Sequence, residues 1–327
     1  MVDLEKLRST AAEVVSRDDV KHLLGWQKGT FGYRVSPCVI EKPEETEKLI
    51  FSPLCVSNLA SYLTYAEKLP VPRGQQPDER KVALLVKGCD SRAVVQLLVE
   101  KGIERERVVV IGCPCRGVVD LKKVREKYPE TLDSVEAAWK DDKIVFKFPD
   151  GEKEVAREEV LADNCLICRH PNPVIADISL GSEVQPGGNG ESPEVKEIED
   201  MSLEERWAYW EKEFSRCIRC YSCRNVCPMC YCEDCVLDRL NPTWINRAAN
   251  YSENTIFNLA RAFHLVGRCV DCGECERVCP AGLPLGKLNR KLAQEVRNQF
   301  DYEPGLDVEG KPFQASFHPD DQEDFVL

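Results

Sequence analysis

The sequence predicts an α/β N-terminal domain followed by a mainly α-helical C-terminal domain. Three observations carry that prediction. Two short apolar runs, Val82–Val86 and Val108–Ile111, flank a stretch of helical period. A segment rich in Gly, Pro, Ser and acid, residues 181–200, interrupts all periodicity. Beyond it, two cysteine runs of identical spacing alternate with helical patterns.

Each element follows in order. Val82-Ala-Leu-Leu-Val86 is a continuous apolar run, as a buried parallel strand requires. Val94, Val95, Leu97, Leu98 and Val99 then form a helical pattern ending near Gly102, and Val108-Val-Val-Ile111 gives a second strand. Strand, helix and strand within this length make a βαβ crossover, with a further helix around 117–128. Residues 143–158 read as a hairpin turning at Pro149-Asp150-Gly151. Residues 181–200 read as a linker. Ser202 and Glu205 form a capping box, followed by Trp207, Trp210 and Phe214 at helical spacing as core candidates. Thr255–Val266 and Pro284–Arg297 read as helices, and the acidic tail 301–327 as an extended arm. The predicted organisation is therefore 1–180, the linker 181–200, 201–300 and the arm 301–327.

Composition narrows the function. The 327 residues carry a net charge of −12, against the basic footprint of a sequence-independent nucleic-acid binder. No stretch approaches the length of a membrane span, and the charged N-terminus lacks an apolar signal core. The expected location is the cytoplasm. Eighteen cysteines in such a chain read as metal ligands rather than disulfides.

The strongest motif is Cys217-x2-Cys220-x2-Cys223-x3-Cys227-Pro228, repeated as Cys269-x2-Cys272-x2-Cys275-x3-Cys279-Pro280. Three closely spaced thiolates wrap one cubane, and the fourth, before proline, reaches to the other cluster. Cys217, Cys220, Cys223 and Cys279 would hold one [4Fe–4S] cluster, and Cys269, Cys272, Cys275 and Cys227 the second. Structural zinc uses paired CxxC half-sites instead. The wide, helix-filled gap between the runs resembles the all-helical ferredoxin domain of succinate dehydrogenase iron–sulfur subunits and heterodisulfide reductase small subunits. Such a two-cluster chain is a wire for single electrons, and its many clusters point to an anaerobic or low-oxygen cell.

Both predicted strands end in cysteine-bearing turns, at Gly88-Cys89-Asp90 and Gly112-Cys113-Pro114-Cys115. Ligands of open α/β sheets bind at this carboxyl edge. Four thiolates among Cys89, Cys113, Cys115, Cys165 and Cys168 would hold a third [4Fe–4S] cluster; zinc and structural thiols are the alternatives. Cys230, Cys232 and Cys235 exceed what two clusters need. They are either buried thiols or a fourth cluster completed by Cys38, Cys55 or Cys113. His22, His170, His264 and His318 have no triad or metal spacing with one another; His170, two residues past Cys168, reads as solvated, with a supporting or substitute ligand as the alternative, and Asp271 and Glu274 read as solvated charges near a cluster.

Val82-Ala-Leu-Leu-Val-Lys-Gly-Cys89-Asp-Ser-Arg-Ala resembles the "VAVxGTPCQxxA" stretch of the coenzyme F420 hydrogenase/dehydrogenase beta-subunit family. Val108-Val-Val-Ile-Gly-Cys-Pro-Cys115 is similar to its "LxIGLFC", and Cys165-Leu-Ile-Cys168 with Ala176-Asp177-Ile178-Ser179-Leu180-Gly181 to its "CxxCxD…ADxSxG". The resemblance covers residues 80–182 in order. It implies that Cys89, Cys115, Cys165 and Cys168 bind a [4Fe–4S] cluster beside a flavin, FAD. It also implies an electron-transfer subunit serving a formate dehydrogenase or hydrogenase catalytic subunit, with a heterodisulfide-reductase-like partner at the other end. Two departures stand out. The family's glycine-rich "SGGxxG" segment has no clear match, the closest stretch being Gly25–Gly32, and Arg169-His170 follows the CxxC where an acid is common. The alternatives are a flavoenzyme subunit oxidising or reducing F420 or NAD(P)H directly, a zinc scaffold, and a reductase whose N-terminal cluster binds substrate.

Overall fold

A computed structural model describes residues 2–30, 34–64, 76, 78–129 and 136–315. Its first layer is a helix, α1 (Leu4–Val15), capped by the Asp3 carboxylate, which accepts the Glu5 N–H at 2.8 Å and the Lys6 N–H at 3.1 Å. Leu7, Ala11, Val14 and Val15 recur at helical spacing and are buried toward the sheet.

That sheet contains β1 (Val20–Lys28), β2 (Val35–Ile40), β3 (Lys81–Val86), β4 (Val108–Gly112) and β8 (Ile178–Ser179), in the order β2-β1-β3-β4-β8. β1 and β2 run antiparallel; every other pairing is parallel. Val82 faces Val108 and Val86 faces Gly112 across β3 and β4, so the predicted crossover forms through α2 (Gly88–Val99). Edge strand β2 tolerates Pro37, which has no N–H to give a ladder. The core joins Leu7, Leu23, Trp26, Leu84, Val94 and Leu97.

The predicted hairpin is β6 (Lys143–Phe148) and β7 (Gly151–Ala156), joined by β5 (Glu136–Lys140) into a separate antiparallel sheet. Ile144, Phe146 and Val155 pack with Val124 of α3 (Leu121–Lys127).

Residues 181–200 join the two parts, and they are packed rather than free. The N–H groups of Gly187 and Gly188 donate to the Cys168 carbonyl at 2.8 and 3.2 Å. α4 (Pro193–Glu199) follows, burying Val195 and Ile198. The C-terminal part is helical: α5 (Leu203–Ser215), α6 (Tyr251–His264) and α7 (Leu285–Phe300). The capping box forms as predicted, with Glu205 N–H to Ser202 Oγ at 3.2 Å and Ser202 N–H to Glu205 Oε2 at 2.9 Å. Phe214 enters the core and Trp210 stacks on it at 5.3 Å, but Trp207 is 61% exposed. Helical spacing placed Trp207 in the core; in the structure it lies on the exposed side of the helix.

Residues 301–315 of the acidic arm return to α2. Arg92 donates to the Pro304 carbonyl at 2.8 and 3.1 Å, and Gly305 N–H donates to Gln96 Oε1 at 3.1 Å. The rest of the arm, 316–327, lies outside the described residues. Glu100 binds the two parts further. It accepts Arg268 at 2.7 and 2.5 Å and the Tyr231 hydroxyl at 2.7 Å.

Candidate iron–sulfur centres

The two cysteine runs fold alike. Each passes through two left-handed residues at matching positions, Arg219 (φ 55°) and Tyr221 (φ 61°) in one, Asp271 (φ 52°) and Gly273 (φ 76°) in the other. Each then makes a single helical turn, Ser222–Asn225 or Glu274–Arg277, carrying the third cysteine. Non-glycine residues adopt this conformation rarely, and its recurrence three times here marks a loop shaped around something.

Cys217, Cys220, Cys223 and Cys279 line one small cavity, which is the exchanged set the motif predicts. Burial, with Cys217, Cys279 and Cys220 nearby, pushes the Cys223 thiol up. Cys227 lies instead with the second run. Burial pushes Cys269 up to about 12, and Cys227 is among the thiols acting on Cys269, Cys272 and Cys275. Donors face the sulfurs: Leu283 N–H reaches Cys279 Sγ at 3.3 Å, and the Asn289 amide reaches Cys275 Sγ at 3.8 Å. Among the described residues, no three His, Cys, Asp or Glu side chains sit at the spacing of a single ion. Four thiols around one small cavity are the donor set of a [4Fe–4S] cluster.

The N-terminal site gathers four of its five candidates. Cys89 opens α2, Cys115 follows β4, and Cys165 and Cys168 flank the end of the turn Asp163–Leu166. All four line a cavity of about 430 Å³. Gly117 N–H donates to Cys115 Sγ at 3.3 Å and Val118 N–H to Cys165 Sγ at 3.4 Å. Burial pushes Cys115 up to about 12, so a bare thiolate is disfavoured there and a bound cation's charge would offset the cost. Cys113 is excluded. It is fully buried in the sheet core, where its N–H donates to the Val86 carbonyl at 2.8 Å. Glycine is required at position 88, where a Cβ would stand 1.9 Å from the His170 carbonyl oxygen.

Cys269 and Cys272 of the second run line the same cavity. The Asn164 amide beside Cys165 donates to the Asp271 carbonyl at 2.7 Å, tying the two sites together.

Sequence reasoning missed the buried cations. Lys87, 2% exposed, pairs with Asp90 at 2.9 Å, donates to the Ser57 carbonyl at 2.9 Å and lies 4.1 Å over the Trp26 ring. Burial alone would lower its pKa; Asp90, Cys89 and Cys115 hold it raised. Arg92 is also buried; burial lowers its pKa, against Glu303, Cys168 and Cys269, which favour its charge. The only sequence signal was polar residues at the carboxyl end of a buried strand.

Three readings of individual residues change. His170 is not solvated: its ring meets Glu303 at 2.9 Å in the cavity wall. Glu274 is 2% exposed and chelates Arg277 at 2.7 and 2.6 Å. Asp271 lines the cavity, and burial pushes its carboxyl up to about 6 despite Arg290 at 3.4 Å. His318 lies outside the described residues.

Cys230, Cys232 and Cys235 line a second cavity of about 190 Å³ with Cys227. None of Cys38, Cys55 and Cys113 lines it. Cys38 sits in β2, and burial pushes both Cys38 and Cys55 up to about 11 in the N-terminal core. Gly25, in the stretch nearest the family's glycine-rich segment, is mid-strand in β1 opposite Cys38, while Phe31 and Gly32 lie outside the described residues.

Residues 79–195 match the model for the C-terminal part of the coenzyme F420 hydrogenase/dehydrogenase beta chain, and residues 216–284 match that of the 4Fe-4S dicluster domain. Over these two segments the chain is similar to that beta-subunit family and to a dicluster domain. It is similar to the F420-dependent formate dehydrogenase subunit beta of Methanocaldococcus jannaschii, at 26% identity over 70% of this chain and 75% of that one. It is also similar to the F420-dependent formate dehydrogenase 1 subunit beta of Methanococcus maripaludis, at 28% identity over 72% and 75%. Among solved structures, a chain of the F420-reducing [NiFe] hydrogenase complex from Methanosarcina barkeri aligns with a TM-score of 0.40 and 16% identity. That alignment covers 51% of this chain and 62%, less than two thirds, of the other. The chain carries an iron–sulfur domain of the electron-transfer type. No helix among its described residues is long and apolar enough to cross a membrane.

Proposed function

We propose that this chain is the electron-relay subunit of a cytoplasmic anaerobic redox complex. Three [4Fe–4S] clusters carry single electrons through it. The first is held by Cys89, Cys115, Cys165 and Cys168, the second by Cys269, Cys272, Cys275 and Cys227, and the third by Cys217, Cys220, Cys223 and Cys279. The observation that carries this reading is the shared cavity. Its wall holds all four N-terminal cysteines together with Cys269 and Cys272, so the two clusters would be neighbours without intervening protein layers. A formate dehydrogenase or hydrogenase catalytic subunit would stand at one end, as the relatives' names suggest, and a heterodisulfide-reductase-like partner at the other.

Anaerobic purification from the native cell, with identification of co-purifying chains and iron and sulfide counts, tests this. Cys89→Ala should remove about four irons. An unchanged iron content, or a preparation containing no redox partner, would sink the proposal.

A second reading has its own support. The cavity volume falls in the range of small-molecule sites, roughly 300–1,000 Å³. Arg116, Arg157, Arg169 and Arg297 line it and suit an anionic cofactor such as FAD. Flavin released on denaturing the purified protein would favour a flavoenzyme subunit working on F420 or NAD(P)H; flavin-free protein with full iron would favour the relay.

A further inference from the structure

We infer that Cys230, Cys232 and Cys235, completed by His264, hold a fourth iron–sulfur cluster at the protein surface, and that this makes the second dicluster site a branch point. The inference rests on the reading that the two cysteine runs bind cubanes.

The three thiols and His264 line one cavity of about 190 Å³. His264 ends α6, and Arg261, one turn earlier on the same helix face, lines the cavity too. Arg261 is 3% exposed and its Nε has no hydrogen-bond partner among the described residues, although Nη2 donates to the Cys223 carbonyl at 3.0 Å. A buried guanidinium with a free donor calls for a negative group in the space it borders. Arg224 and Arg268 border it as well, the first paired with Asp238 of the same cavity wall and the second with Glu100, which leaves Arg261 as the cation facing the thiols without a carboxylate partner among the described residues.

Among the described residues, the three thiols and His264 form no group that could hold a single metal ion. A histidine in place of a cysteine raises a cluster's potential, as in Rieske centres. Cys232 and His264 are exposed, so this cluster would face solvent or a docked partner.

Its position sets the path. Cys227 lines the same cavity as Cys230, which places the new site against the second cluster. The second cluster then borders three others: the N-terminal one through the shared cavity, this one through Cys227, and the remaining dicluster site across Arg261. Each hop oxidises one cluster by one electron and reduces its neighbour by one, with no bond made or broken.

The test compares iron, sulfide and zinc in anaerobically purified full-length protein. Wild type should hold about sixteen irons, and Cys235→Ala and the more exposed Cys232→Ala about twelve, with the other clusters' EPR signals retained. His264→Cys should keep the iron and alter the new signal; His264→Ala should lose or alter it. Iron unchanged in both cysteine variants, while Cys89→Ala loses about four, overturns this inference and leaves the relay reading standing. Iron lost in the cysteine variants but not in Cys89→Ala supports the inference and sinks the relay's N-terminal cluster. One zinc lost with Cys235→Ala overturns the cluster assignment, and an unaltered signal in both His264 variants overturns histidine ligation.

Discussion

Replacing Lys87 by methionine isolates the electrostatics of the N-terminal site. The Lys87 ammonium and the Asp90 carboxylate are 2.9 Å apart and 2% and 0% exposed. At an effective dielectric constant of about 20, that separation corresponds to an attraction of about 6 kcal/mol, which desolvation of both ions largely offsets. Lys87→Met retains the backbone N–H that donates to Asp90 at 2.9 Å but leaves the carboxylate without its cation. Stability should fall by about 3–5 kcal/mol, a large share of the roughly 5–15 kcal/mol of a typical domain. Adding Asp90→Asn removes the unpaired charge and should recover most of the loss. Urea unfolding of anaerobic protein, followed by tryptophan fluorescence, reads this because Trp26 lies directly under the ammonium. The same pair would set the potential of the proposed N-terminal cluster. Loss of a positive charge beside Cys89 and Cys115 disfavours the more negative reduced state. The midpoint should therefore fall in Lys87→Met, by about 59 mV per 1.4 kcal/mol, and return in the double variant, which removes no net charge. A single variant losing under about 1 kcal/mol, or a double variant worse than the single, would refute the reasoning.

Further expectations follow from other contacts. Gly88→Ala would drive a Cβ to 1.9 Å from the His170 carbonyl; it should cost about 2 kcal/mol or more and lose the N-terminal cluster's iron, measured by urea unfolding and iron assay. Glu100→Ala leaves Arg268 without its partner and should cost about 3–5 kcal/mol, visible as faster proteolysis between the two parts; unchanged proteolysis would show that Glu100 does not hold them. Glu303 anchors the arm: burial alone would raise its pKa, but the hydrogen bond from His170 and the charges of Arg92 and Arg169 bring it down to about 2. A depressed carboxylate stabilises above its unfolded pKa, so its contribution of about 3 kcal/mol should be intact above pH ~4.5 and vanish toward pH 2. Hydrogen exchange across residues 301–315 should report that loss in wild type, and Glu303→Gln should remove the pH dependence.

Local chemistry made much of this protein legible. The cysteine runs could be read because ligand spacing, left-handed turns and the closing proline act within a dozen residues. The crossover β3-α2-β4 and the capping box at Ser202 were equally local. The N-terminal strands were less so: β1 carries a central glycine and β2 a proline, which composition assigns to turns, and only edge position and packing against Leu49 make them strands. Trp207 faces outward because periodicity gives a helix face but not the extent of what covers it.

By itself, the sequence showed the resemblance to the beta-subunit family and the two cysteine runs of the dicluster domain. The tertiary structure alone decided which thiols meet across distance. It sent Cys113 into the sheet core while Cys115 reached the cavity. It set the second run, not the first, against the N-terminal site, through Asn164 and Asp271, more than a hundred residues apart. It also gathered Lys87, Arg92 and Arg261 around the sulfurs. Such contacts arise from burying apolar faces together, and no spacing along the chain encodes them.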